Sequence, residues 1–136
     1  MARILLVDDD SDLQRLLGRQ LTTAGYQVFC ASNGAGALKI MKLEQVDLVI
    51  TDIVMPDMDG CELIMELRGH INPPRIIAMS GGSYSLTGES LLKVVRLMGA
   101  DRVMQKPVPF ADLCAAISEL LGTGPADQSG CGRNEL

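Results

Sequence analysis

The sequence predicts an α/β domain, a doubly wound parallel sheet of five strands with five helices on its two faces. Short apolar runs alternate along the chain with longer segments in which apolar residues recur at helical spacing. This alternation is typical of a parallel sheet that is covered on both faces. The chain has 136 residues, of which 47% are apolar, and this is enough for one domain with a substantial core.

Five short apolar runs predict the strands, because runs of this length bounded by polar residues are typical of buried strands. The first run, Arg3–Val7, is followed directly by Asp8, Asp9 and Asp10. The third run is followed by Asp52, and the fourth is followed by Ser80. The remaining predicted strands cover residues 26–30, 47–51, 75–79 and 102–105.

Periodic apolar residues between these runs predict the helices. Ser11 is expected to begin the first helix, with Gln14 three residues later in the pattern of a capping box. Gly25 is placed to end that helix. The other helices are expected after Asn33-Gly34, around residues 63–67, around residues 91–98 and around residues 113–121. The aperiodic residues 122–136 predict a disordered tail or a linker remnant after a domain at 1–121.

Composition argues against several function classes. The net charge is −5 and lysine and arginine are scattered, so a basic face for direct nucleic-acid binding is not expected. The four cysteines form no CxxC pair, which favours free thiols in a reducing compartment over zinc or haem ligands. No apolar run approaches the roughly 18 residues of a membrane span, and the N-terminus lacks the pattern of a signal peptide. We therefore expect a cytoplasmic protein with no membrane partner.

Three carboxylates are predicted to meet at one edge of the sheet. Asp8 and Asp9 follow the first strand and Asp52 follows the third, and the carboxyl ends of parallel strands lie on the same side. Carboxylates that share a site repel one another, so a proton or a cation must hold them together. Oxygen ligands without histidine or cysteine suit a hard cation such as Mg²⁺.

Two further polar residues follow strands at the same edge. Lys106 offers an ammonium for a carboxylate or a phosphoryl oxygen, and Ser80 offers a hydroxyl beside Gly81-Gly82. A hard cation, a carboxylate, an ammonium and a hydroxyl form a suitable set for phosphoryl transfer, in which one carboxylate could be the nucleophile.

These stretches resemble the receiver domain of two-component response regulators. The similarity extends over about residues 2–121, with matches at 4–10, 47–60, 76–81 and 106–107. The most specific segment has Asp52 followed by Met55-Pro56 and by Asp59-Gly60. The resemblance implies a flavodoxin-like sheet with strand order 2-1-3-4-5.

The resemblance also implies roles for the site residues. Asp52 would accept a phosphoryl group, while Asp8, Asp9, Asp52 and the backbone carbonyl of Val54 would hold Mg²⁺. Ser80 would bind the phosphoryl group, and Lys106 would pair with it or with a carboxylate. The chain would then be a phosphoprotein switch and no enzyme beyond its own phosphorylation and dephosphorylation at Asp52.

Partners follow from the same resemblance. A histidine kinase or a histidine phosphotransfer protein would donate the phosphoryl group. A downstream protein would bind the face between the fourth and fifth predicted helices, and a homodimer that forms on phosphorylation is a further option.

Two alternatives stay open at this point. A degenerate receiver would bind partners without phosphate, and Val103, where the family usually has an aromatic switch residue, leaves that hypothesis open. A haloacid-dehalogenase-like phosphatase would want a second aspartate two residues after its nucleophile, where this chain has Val54. The resemblance also implies that two positions tune the lifetime of the phosphorylated state, and this chain has Val54 and Gly82 there. Neither side chain can hydrogen-bond an attacking water, so we expect no fast self-catalysed dephosphorylation.

Overall fold

The computed structural model describes residues 2–53, 60–80 and 99–122, in which one five-stranded parallel sheet has the order β2-β1-β3-β4-β5. The strands are β1 (Arg3–Val7), β2 (Gln27–Ala31), β3 (Leu48–Asp52), β4 (Arg75–Ser80) and β5 (Arg102–Gln105). The helices are α1 (Ser11–Thr23), α2 (Gly34–Leu43), α3 (Gly60–Arg68) and α4 (Phe110–Leu121).

The predicted fold class and strand order are confirmed. β1 and β5 have the predicted bounds, while β2 and β3 each begin and end one residue later than expected and β4 extends to Ser80. α4 corresponds to the fifth predicted helix. The fourth predicted helix and the predicted tail after Gly122 lie outside the described residues.

The start of α1 differs from the predicted capping box. Asp10, not Ser11, is the N-cap residue, and its carboxylate accepts hydrogen bonds from the backbone N–H groups of Asp12 and Leu13 at 3.0 and 3.2 Å. Asp10 has an extended backbone, which places its side chain over the first turn. The Gln14 side chain therefore has no capping role and makes other contacts.

Two apolar layers cover the two faces of the sheet. Because side chains alternate along a strand, Leu5 and Val7 of β1 belong to one layer, and Ile4 and Leu6 belong to the other. The first layer packs against residues of α2 and α3, including Leu67. The second contains buried residues of α1 and α4. This arrangement fixes β1 and β3 rigidly in the centre of the domain.

Strand register aligns the carboxyl ends of the strands. Val7 pairs with Thr51, and Asp52 pairs with Met79. Ser80 pairs with Gln105, one residue before Lys106. The residues that follow or end four of the strands are thus brought to one edge. Within the described part of the chain, no helix has both the length and the apolar character needed to cross a membrane.

Candidate functional site

The three predicted carboxylates meet at the carboxyl edge of the sheet. Asp8 and Asp9 follow β1, and Asp52 ends β3. One carboxylate oxygen from each residue lies within 4.8 Å of the other two. Asp8 and Asp52 are 1% and 6% exposed, whereas Asp9 is exposed to solvent. Two of the three negative charges are therefore held in a largely buried position, where they require a positive partner.

Lys106 supplies one positive partner. Its Nζ donates hydrogen bonds to Oδ2 of Asp8 at 3.0 Å and to Oδ2 of Asp52 at 3.2 Å. Partial burial alone would lower the pKa of Lys106, but the hydrogen bond to Asp8 and the charges of Asp52 and Asp8 outweigh it, so the pKa is raised. The side chain is therefore a fixed ammonium that bridges two carboxylates.

Ser80 ends β4 beside this ion pair. Its side chain is 1% exposed, and its Oγ has no hydrogen-bond partner among the described residues. The backbone N–H of Lys106 donates to the carbonyl of Ser80 at 2.7 Å, which joins the ends of β4 and β5. A buried hydroxyl without a partner loses free energy unless a ligand, an ion or water completes its hydrogen bonds. Ser80 is thus suited to donate to an oxygen that enters the crevice.

Local hydrogen bonds fix the backbone around Asp8. The N–H of Asp10 donates to Oδ1 of Asp8 at 2.9 Å, so both oxygens of that carboxylate have partners. The N–H of Asp8 donates to the carbonyl of Ala31 at 3.1 Å, and the Gln14 side-chain amide donates to the same carbonyl at 2.8 Å. Sequence reasoning assigned Gln14 to a helix cap and missed this contact, which depends on the pairing of β1 with β2.

Several expectations concern residues outside the described ranges. Val54, Asp59, Gly81 and Gly82 lie outside the described residues, whereas Gly60 begins α3. The predicted fourth helix, which belongs to the expected output face, also lies outside the described residues. The roles expected for these residues stay predictions.

Val103 lies on β5, three residues before Lys106. Its partly buried side chain packs against the apolar layer that contains Leu67 and Ala78. A valine has one short branched side chain with few rotamers, so no ring at this position can move between an inward and an outward orientation.

The arrangement matches the chemistry of a hard cation and a phosphoryl group. Carboxylate oxygens from Asp8, Asp9 and Asp52 are the ligands that Mg²⁺ takes, and Mg²⁺ commonly uses few carboxylates together with water and phosphate. The Lys106 ammonium and the Ser80 hydroxyl can bind oxygens that the carboxylates would repel.

A family model described as response regulator receiver domain matches residues 4–118. This chain belongs to that family. The match covers all of the described strands except Arg3 and most of α4, so it includes all the residues of the crevice that the structure describes.

Relatives and solved structures agree with the family assignment. Transcriptional regulatory protein GlrR of Escherichia coli is 46% identical over an alignment of 125 residues that covers 82% of this chain and 28% of that protein. Transcriptional regulatory protein KdpE of Mycobacterium tuberculosis is 36% identical over 118 residues, 86% of this chain and 50% of that protein. The receiver chain thus spans half or less of the length of these curated relatives.

Two crystal structures illustrate the similarity of fold. Response regulator protein TrrA from Thermotoga maritima, solved in complex with Mg²⁺-BeF, has a TM-score of 0.76 and 34% identity, and the match covers 89% of this chain and all of that one (100%). A receiver domain protein from Clostridium thermocellum has a TM-score of 0.80 and 28% identity, with 90% of this chain and 95% of that one covered. The receiver family thus replaces the phosphatase hypothesis, and the degenerate alternative gains no support from these relatives.

Proposed function

We propose that this receiver domain is a phosphorylation-dependent switch in which Asp52 accepts a phosphoryl group. The observation that carries the proposal is the Lys106 ammonium, which contacts both Asp52 and Asp8 in a crevice that also contains Asp9. Asp52 ends the central strand β3, so its carboxylate is held at a fixed place. A fixed carboxylate beside a cationic group is what nucleophilic attack on a phosphoryl donor needs.

Mg²⁺ is the proposed cofactor. Asp8, Asp9 and Asp52 would hold it, and the carbonyl of Val54 would complete the protein ligands as the family resemblance implies. When bound, the ion supplies positive charge that neutralises the phosphoryl oxygens during transfer. The buried Asp8 and the exposed Asp9 allow a cation that keeps water on its open side.

The proposed transfer is an in-line displacement. An oxygen of Asp52 attacks phosphorus, the bond from phosphorus to the donor nitrogen or oxygen breaks, and the departing group keeps that electron pair. The product is an aspartyl phosphate. Lys106 then pairs with a phosphoryl oxygen in place of the Asp52 carboxylate, and Ser80 donates its hydroxyl hydrogen to another.

The new group adds charge at a single point and can bias a two-state element. Ser80 joins β4 to β5 through its carbonyl, so a shift of its side chain toward the phosphoryl group would be transmitted to β5. With Val103 on β5, the signal would pass by backbone and helix displacement and not by rotation of a ring. The proposed output face lies between the fourth and fifth predicted helices, and a homodimer on phosphorylation would use the same face.

The proposed phosphoryl donor is a histidine kinase or a histidine phosphotransfer protein. An apolar groove of about 530 Å³ reaches Lys106 and is lined by Leu13, Leu16 and Leu17 of α1 and by Phe110 of α4, among others. Leu16 is 55% exposed. A partner helix that rests on this groove would bring a phosphohistidine close to Asp52, which supports a docking site next to the acceptor.

Four broader expectations accompany this proposal. The chain would catalyse only its own phosphorylation and dephosphorylation and would work in the cytoplasm, where kinases have ATP. We propose the domain boundary at residue 121, since α4 ends there and Gly122 adopts a left-handed conformation. The lack of direct nucleic-acid binding stays a prediction, because the longer relatives are named transcriptional regulators.

Intact mass spectrometry tests the acceptor. We expect incubation with Mg²⁺ and acetyl phosphate to give a single phosphoryl adduct on the wild-type chain and on Asp12→Asn, and none on Asp52→Asn. Asp12 is a suitable control because it is an exposed aspartate in the first turn of α1. An adduct that persists in Asp52→Asn would refute the assignment, and no adduct on the wild type would favour the degenerate receiver.

A further inference from the structure

Gln14 makes a contact that neither a helix cap nor the proposed phosphoryl chemistry explains. It lies in the first turns of α1, and its side chain points toward the ends of β1 and β2. Nε2 is 2.8 Å from the carbonyl oxygen of Ala31 and 3.5 Å from the carbonyl oxygen of Asp8. The shorter distance, to Ala31, is that of a normal hydrogen bond, and the longer one, to Asp8, is that of a weak contact.

The two neighbours fix the orientation of the side-chain amide. Both are carbonyl oxygens, which only accept hydrogen bonds, so the NH₂ group of Gln14 must face them and its oxygen must point away. Ala31 accepts a second hydrogen bond from the backbone N–H of Asp8 at 3.1 Å. Gln14 and the Asp8 backbone therefore share one acceptor at the tips of two paired strands.

This shared acceptor bears directly on the carboxylate of Asp8. Asp8 is the first residue after β1, where the ladder of paired strand residues ends at Val7 and Ala31. Beyond that point, the Asp8 N–H donates to the carbonyl of Ala31, which Gln14 also binds, and the Asp8 carbonyl makes the weak contact with Gln14. The Asp8 side chain, in turn, carries the hydrogen bonds from Asp10 and Lys106. Any change in the direction of the Asp8 backbone would move an oxygen of the candidate cation site.

We propose that Gln14 is a positioning residue for the cation site, holding Asp8 through the carbonyls of Ala31 and Asp8. This inference rests on the proposed function, because it needs Asp8 to be a cation ligand. Groups that orient a metal ligand without touching the metal commonly change metal affinity 10- to 100-fold when they are removed. Gln14 acts on the ligand's backbone, one step further away, so we expect a smaller effect of about 3- to 10-fold.

Two variants separate positioning from simple electrostatics. Gln14→Met keeps an unbranched side chain of similar length but removes the donor. Gln14→Glu keeps the shape and replaces the donor with a carboxylate oxygen, which the two carbonyls repel. If only charge mattered, the added negative charge of Gln14→Glu would strengthen Mg²⁺ binding. Positioning predicts the opposite sign, because the glutamate can no longer hold Ala31 and Asp8.

Titration calorimetry with Mg²⁺ alone is the primary measurement, with no phosphoryl donor present. We expect both variants to bind Mg²⁺ about 3- to 10-fold more weakly than the wild type, and the backbone amide of Asp8 to exchange its hydrogen faster in both. Gln27→Met is the matched control. Gln27 accepts a hydrogen bond from Nε of Arg3 at the opposite end of the sheet, so its loss should leave Mg²⁺ affinity within twofold of the wild type.

The outcomes distinguish this inference from the proposed function. Wild-type Mg²⁺ binding with unchanged affinity in both Gln14 variants would overturn the positioning role and leave the cation site intact. Tighter binding in Gln14→Glu with no change in Gln14→Met would also overturn it, in favour of a charge effect. A wild-type chain that fails to bind Mg²⁺ would remove the cation site and this inference together. If Gln14→Met does not fold, Gln14→Glu and the Asp8 amide exchange still decide the question.

Discussion

The ammonium of Lys106 donates a 3.0 Å hydrogen bond to the carboxylate of Asp8, although the two residues are 98 positions apart in the sequence. The same nitrogen is 3.2 Å from Asp52. One positive charge thus holds together the ends of β1, β3 and β5. Without this ammonium, two buried carboxylates would face each other and the exposed Asp9.

Replacing Lys106 with methionine should lower stability and strengthen cation binding. Lys106→Met leaves Asp8 and Asp52 without their shared ammonium, and we expect a loss of about 1–3 kcal/mol in the free energy of unfolding without Mg²⁺. Mg²⁺ should restore more stability to this variant than to the wild type, because the ion no longer competes with an ammonium. Urea denaturation with and without Mg²⁺ measures both effects.

Lys39→Met is the control for that experiment. Lys39 is an exposed residue of α2, and its replacement removes the same charge away from the crevice. We expect its stability and its response to Mg²⁺ to match those of the wild type within about 0.5 kcal/mol. An equal response to Mg²⁺ in Lys106→Met and in the wild type would contradict the role given to the ion pair.

The fold could be predicted from the sequence because the apolar runs and the helical patterns all indicate the same architecture. The run at residues 4–7 is apolar throughout, and the structure buries it between two layers. A strand that is covered on both faces needs no alternation, so a continuous run is informative by itself. The placement of the candidate site residues could be predicted for the same reason, because parallel strands align their carboxyl ends. The residues that follow or end these strands are Asp8, Asp9, Asp52, Ser80 and Lys106.

The contacts that the sequence could not supply depend on register and on competition between neighbours. Ser11 and Asp10 can both cap a helix, and only the backbone direction after β1 decides that Asp10 does so. Once Asp10 is the cap, Gln14 is free to reach Ala31, which is 17 positions away. That contact exists because β1 pairs with β2, and the spacing of residues along the sequence does not show which strands pair.

Shortening the side chain of Leu67 should greatly reduce the stability of the domain. It is fully buried in the layer between the sheet and α3, so Leu67→Ala removes apolar contacts and leaves a cavity. We expect a loss of about 2–5 kcal/mol in the free energy of unfolding. Leu43→Ala makes the same change at a side chain that is 80% exposed and should cost less than about 0.5 kcal/mol. Similar urea midpoints for the two variants would contradict the assignment of the core.

Gly99 and Gly122 allow the cost of a strained backbone to be compared with the cost of crowding a new side-chain atom. Both have positive φ angles, 114° and 70°, but a Cβ at Gly99 would lie 2.8 Å from Cγ of Arg68, whereas one at Gly122 would meet nothing within 4 Å. We expect Gly122→Ala to cost about 1–2 kcal/mol and Gly99→Ala about 2–4 kcal/mol. Thermal unfolding of the two single variants, and of the double variant that combines Gly99→Ala with Arg68→Ala, measures these losses of stability.

The double variant separates the cost of the positive φ angle at Gly99 from the cost of crowding by Arg68. Shortening Arg68 removes the atoms that crowd the new Cβ but leaves the φ angle unchanged. We therefore expect partial recovery, toward the cost of Gly122→Ala. A Gly99→Ala variant as stable as the wild type would show that the turn before β5 does not need glycine.

The thiols of Cys30 and Cys114 should react slowly with alkylating reagents at neutral pH. Partial burial raises the pKa of both thiols above the ordinary value, and the thiolate is the reactive form. Iodoacetamide should therefore modify both more slowly than it modifies glutathione at pH 7.5, even though Cys30 is exposed by area. Peptide mass spectrometry after timed alkylation gives each rate separately, and the urea-unfolded chain is the control.

The same pKa shifts set the sign of the pH dependence of stability. A thiol with a raised pKa in the folded state keeps its proton longer than it does in the unfolded chain. As the pH rises through the ordinary thiol value of about 8.5, the unfolded chain ionises first and the folded state loses the corresponding stability. Cys30→Ser and Cys114→Ser should each reduce the decline in the urea midpoint between about pH 8 and pH 10. An unchanged decline in both variants, or thiols that react as fast as glutathione, would contradict the raised pKa of these two thiols.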